Sequence, residues 1–95
     1  LGHAELLTLW QWSEEEFLRR TEGSPIRRIG HARWLRNLAV ALGNALRVAA
    51  PAQVPAVRAA LQQHLAHPDP IVREHVQWAL RQRDADDPAG GSARA

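Results

Sequence analysis

The spacing of apolar residues between Trp34 and Leu46 permits one local structure. Trp34, Leu35, Leu38, Leu42, Ala45 and Leu46 recur three and four positions apart. That spacing lines one side of an α-helix and would scatter over both faces of a strand. The same period returns in Val54, Val57, Leu61 and Leu65, and again in Ile71, Val72, Val76, Ala79 and Leu80. No stretch alternates with period two, so the chain is expected to be all-α.

Punctuation divides the pattern into about five helices. Leu6, Leu7, Leu9 and Trp10 mark a short first one. Ser13 is an N-cap, and Glu16 three residues on completes a capping box. That second helix runs to about Thr21 and stops at Gly23. Ser24 and Pro25 open one further turn, ending by Gly30. The long helix runs from about His31 to Leu46. Ala50 and Pro51 break it. A fourth helix leads to "HPDP", where Asp69 caps a fifth with Pro70 at its first position. Shifted by 38 positions, Leu38, Ala41 and Leu42 fall on Val76, Ala79 and Leu80. Helical units at such a period read as a short HEAT-like repeat, in which stacked pairs share a core. Residues 1–83 form this domain. From Asp84 the sequence "DADDPAGGSARA" is small, polar and glycine-rich, and residues 84–95 are expected to be a disordered tail.

Composition narrows the chemistry. The chain has 95 residues, enough for a modest core. It has no cysteine, which excludes thiol chemistry and cysteine-ligated zinc or iron–sulfur sites within these residues. No apolar run reaches membrane length and no basic-then-apolar stretch opens these residues, so neither a membrane span nor a secretion signal is expected. The chain has no methionine and begins with Leu1, so it reads as a piece of a longer protein. Neither a catalytic triad, a phosphate loop nor a dinucleotide fingerprint is present, and the piece itself is expected to be non-catalytic. Five histidines are scattered, with His64 and His67 three apart. Zinc needs three or four convergent ligands, and no metal site is expected. Trp10 and Trp34 fit the apolar pattern, while Trp78 falls between faces.

The remaining signal is arginine. All 12 basic residues are arginine, although the net charge is only +2. Arg33, Arg36, Asn37, Asn44 and Arg47 share the face of the long helix opposite the leucines, with Val40 the one interruption. Arg27 and Arg28 precede this stripe in the loop. Guanidinium and amide groups so arranged suit a phosphate backbone. The plain alternative is a solvated face neutralised by Glu14, Glu15, Glu16 or Glu22. Arg73, at the start of the fifth helix, is expected to brace neighbouring turns. His31 either contacts a phosphate or caps its helix.

The run "TEGSPIRRIGHARWLRNLAVALGNAL" and the later "HPDPIVREHVQWAL" resemble the C-terminal HEAT-like region of the epoxyqueuosine reductase family, over roughly residues 5 to 82. The resemblance implies a parent oxidoreductase of queuosine biosynthesis, a cytoplasmic tRNA-processing enzyme that reduces epoxyqueuosine to queuosine at the wobble position. It implies cobalamin and two [4Fe–4S] clusters in upstream catalytic domains. For this region it implies contact with a tRNA bearing a GUN anticodon, with Arg27, Arg28, Arg33, Arg36 and Asn37 as the RNA-binding candidates. A monomer with no membrane association is expected. The other reading is a HEAT-like protein–protein interaction module.

Overall fold

A computed structural model describes residues 2–83, all of whose regular elements are helical. Helix α1 spans His3–Trp10, α2 Glu14–Arg20, α3 Gly30–Val48, α4 Val54–Gln62 and α5 Pro70–Leu80. Short 3₁₀ turns at Pro25–Ile29 and Pro51–Gln53 lead into α3 and α4. The expected disordered tail over 84–95 lies outside the described residues.

The caps act where the sequence placed them. Ser13 Oγ accepts the Glu16 amide at 3.1 Å. Asp69 Oδ1 accepts the amides of Ile71 at 2.7 Å and Val72 at 3.3 Å. Those amides have no partner inside the helix, so the carboxylate satisfies them and meets the positive helix end. The capping box at α2 is only half formed. The Glu16 carboxylate is taken by Arg19 at 2.5 Å and Arg20 at 2.6 Å instead of returning to the cap. Two guanidinium groups outcompete one backbone amide for the same oxygens.

Helix α3 is the axis of the fold. It packs most extensively on α5 and also meets α1, α2 and α4. Leu35, Leu38, Ala39, Leu42 and Leu46 are buried on it, with Val57, Ala60 and Leu61 from α4 and Val72, Val76 and Ala79 from α5. Trp34 and Ala45 were expected in the core and are only half-buried at its margin. Leu65 and Ile71 were also expected inside, yet they are 40% and 43% exposed. Leu65 lies beyond the end of α4, where the helical phase no longer holds. Ile71 sits in the first turn of α5, ahead of its packed stretch.

The repeat register also differs from the expected one. A shift of 37 positions, not 38, pairs buried with buried: Leu35 with Val72, Ala39 with Val76, Leu42 with Ala79. Apolar identity alone does not distinguish the two shifts, because Leu38, Ala41 and Leu80 are apolar whichever way they face.

Close approach explains one glycine. A Cβ built on Gly43 would lie 2.6 Å from Trp78 Cζ3 and 2.9 Å from the Ala79 Cα. The glycine of "ALGN" is therefore a point of very close approach between α3 and α5. Distant segments are tied by polar contacts. The Trp10 indole donates to the Ala60 carbonyl at 2.6 Å, joining α1 to α4. Arg83 donates to the carbonyls of Leu46 at 3.2 Å and Ala49 at 2.5 Å, the open end of α3. Arg58, on α4, donates to the carbonyls of Leu80 and Arg83.

Candidate nucleic-acid interface

The arginine surface begins in the turn before α3. Gly23, with φ of +80°, ends the loop after α2, and Ser24 Oγ then accepts the Ile26 amide at 3.2 Å. Pro25 fixes the first residue of the 3₁₀ turn that carries Arg27 and Arg28. Gly30, with φ of +83°, bends the backbone from this turn into α3. Both Arg27 and Arg28 are exposed.

On α3, Arg33, Asn37, Asn44 and Arg47 are exposed on the side away from the core, as their spacing predicts. Arg36 is half-buried. The Asp69 carboxyl is held below its ordinary value first by the Ile71 amide, then by the Val72 amide, with a smaller contribution from the charge of Arg36. Val40 interrupts the polar face and is 40% exposed.

Neutralisation by the α2 glutamates does not occur. Among the described residues, the guanidinium groups of Arg27, Arg28, Arg33 and Arg36 form no salt bridge and no hydrogen bond, whereas Glu16 is shared by Arg19 and Arg20. Arg47 is anchored: it donates to Asn44 Oδ1 at 2.6 Å and to Gln82 Oε1 at 3.2 Å. Arg73 is structural, as expected. Its guanidinium donates to the carbonyls of His67 at 2.7 Å and Pro68 at 3.2 Å, bracing the turn before α5.

His31 turns away from the arginines. Its Nε2 is 2.8 Å from the Trp12 carbonyl, and its ring lies against Phe17. It belongs to an aromatic cluster in which Trp12 and Trp34 stack at 5.6 Å and Arg20 lies over Trp12 at 5.5 Å. The histidine pair is likewise structural. His64 packs edge-on against Trp10, and His67 Nδ1 accepts the Asp69 amide at 3.0 Å. Burial, first among the causes, lowers the basicity of both rings.

Sequence reasoning missed the groove between α3 and α5. Val40, Gln77, Trp78 and Arg81 line it, with Glu74 and His75 on the α5 side. Its advance signals were Val40 breaking an otherwise polar stripe and Trp78 falling between faces. The residues of this chain do not fit an iron–sulfur cluster, which takes cysteine thiolates that the sequence lacks. Among the described residues no three His, Asp or Glu side chains gather into a metal-binding group. No described helix is long and apolar enough to cross a membrane.

The geometry thus defines a small all-α unit that presents a ridge of arginines from one loop and one helix, most of them with no carboxylate partner among the described residues. Its sequence relatives are specific. The chain is 58% identical over 81 residues to epoxyqueuosine reductase of Pseudomonas aeruginosa, covering 85% of this chain and 21% of that protein. It is 55% identical over 89 residues to the Shewanella oneidensis enzyme of that name, covering 92% and 21%. For the Escherichia coli enzyme the identity is 51% over 79 residues, covering 83% and 19%. The resemblance drawn from the motifs is borne out: the chain is similar to one stretch of the curated epoxyqueuosine reductases. The chain spans about a fifth of the length of these curated relatives. No protein-family model and no solved structure matches it.

Proposed function

We propose that this chain is the C-terminal, HEAT-like, tRNA-contacting domain of an epoxyqueuosine reductase, and that it takes no part in the chemistry itself. In this reading the parent is a cytoplasmic enzyme that reduces epoxyqueuosine to queuosine in tRNAs with a GUN anticodon. Cobalamin and two [4Fe–4S] clusters would supply the reducing chemistry from domains outside this chain. The observation that carries the proposal is the set of exposed guanidinium groups on Arg27, Arg28 and Arg33 that no described carboxylate neutralises. RNA helices are gripped through phosphates, 2′-hydroxyls and shape, and rigid planar donors match those oxygens. Arg36 and Asn37 flank the same ridge.

A salt titration of the 95-residue chain against a tRNA with a GUN anticodon tests this. Binding weakens as salt rises, because phosphate contacts release counterions. In Arg27→Ala/Arg28→Ala the slope of log affinity against log salt becomes shallower by about 1.5. An unchanged slope removes the pair from the interface. A tRNA lacking the GUN anticodon, run in parallel, shows whether the domain discriminates or supplies backbone attraction only.

Exposed Leu65 and Ile71 favour a second contact, with the remaining domains of the parent chain. In Leu65→Ser/Ile71→Ser the full-length enzyme then becomes easier to cleave between its domains, while this chain alone keeps its stability.

A further inference from the structure

We propose that the groove between α3 and α5 receives one unpaired base of the bound RNA. The inference rests on the RNA reading above and adds a base-holding site to it.

A surface that only tracks phosphates needs no apolar floor. This one has a floor in the middle of its polar stripe. Val40, 40% exposed, faces the half-buried Trp78 across the groove. The indole can lie so low because Gly43 has no side chain: its Cζ3 occupies the space a Cβ would need. The groove holds about 500 Å³, within the span of roughly 300–1,000 Å³ typical of small-ligand sites. It is open at the surface, so a base can enter from a single strand without the helices parting.

The walls differ from the floor. Gln77 offers an amide donor and acceptor, and Glu74 offers a carboxylate that only accepts. Such walls favour a base that presents N–H groups on its edge. Arg81 lies at the wall, and Arg47 is held beside the same helix pair by Asn44 and Gln82. Cations so placed suit the phosphates on either side of a splayed base. An apolar floor, a hydrogen-bonding wall and flanking guanidinium groups are the parts that single-stranded recognition requires. The charge also suits an anion, since Arg81 at the wall and Arg47 beside it outnumber Glu74.

The test is an abasic scan. An RNA hairpin copying the anticodon arm is made with each loop base removed in turn, and each is titrated against the 95-residue chain at low salt. The proposal expects one loop position whose loss weakens binding about ten-fold, the scale of a single base–aromatic stack. In Val40→Gln, a neutral change at an exposed position, that difference disappears while the salt slope is kept. Gln77→Ala, also exposed, reduces the difference without touching the floor. A flat scan with salt-sensitive binding retained overturns the base site and leaves the RNA reading standing. A sensitive position that responds to neither variant also overturns it, because the base is then held elsewhere. Absence of binding at low salt overturns both readings.

Discussion

Individual side chains settle most of what this domain tolerates. At Gly43, alanine would gain helix propensity, about 1 kcal/mol. It would also drive a methyl into the Ala79 backbone, which cannot rotate away. Overpacking of that kind costs about 1–3 kcal/mol, so Gly43→Ala lowers stability by about 1 kcal/mol net, seen as a lower denaturant midpoint. A midpoint at or above that of the parent would mean that the two helices separate easily. The Trp10 indole is a second such position. Trp10→Phe keeps a ring but leaves the Ala60 carbonyl without its donor, and urea titration should show a loss of about 1–3 kcal/mol. The sequence showed Trp10 as a core residue. It could not show the bond to Ala60, because nothing in a local pattern specifies an acceptor fifty residues away.

Helices and their caps set the response to acid. The His67 ring accepts the Asp69 amide through Nδ1, which requires the neutral ring. Burial holds its folded pKa below the ordinary 6.5, and the charge of His31 acts in the same direction. The unfolded chain therefore binds the proton more tightly than the folded one. Stability is complete above pH 6.5 and falls as pH falls from there through the lower folded value. His64, lowered chiefly by burial, adds to the loss with the same sign. Asp69 acts at still lower pH: its folded pKa lies under 3.8, so its cap is lost as pH falls below that. Thermal melts from pH 8 to pH 5 check the first window. His67→Asn, whose amide oxygen can still accept the Asp69 N–H, should flatten part of the slope. Asp69→Ala should cost about 1 kcal/mol at neutral pH through loss of the N-cap. These caps were legible from sequence because they are local, read from Ser13, Ser24 and Asp69 and the residues just after them. The exposure of Leu65 and Ile71 was not, since it depends on where α4 ends and which turn of α5 first meets α3.

Across the whole molecule, the chain is closed by arginines that do not face the proposed ligand. Arg83 joins the end of the described chain to the last carbonyls of α3, and Arg58 draws the end of α5 toward α4. Arg58→Ala should therefore raise amide hydrogen exchange at the ends of α3 and α5 together while leaving α1 and α2 unchanged. Uniform acceleration would place Arg58 in the global core instead. The all-α architecture and the exposed arginine face were both legible, because each follows from a period along one helix. The groove was not, for Val40 and Trp78 become neighbours only when α5 packs on α3. One joint remains between the two parts of the ridge. Arg27 and Arg28 stand before Gly30, Arg33 stands after it, and Gly30 holds φ of +83° with nothing within 4 Å of where a Cβ would be. The aim of the first pair relative to the helix thus depends on a torsion at a position where no neighbouring atom would meet a side chain. A lineage could re-point those two arginines toward a differently shaped loop through a single change at Gly30, because any other residue there would push its positive φ toward a new value.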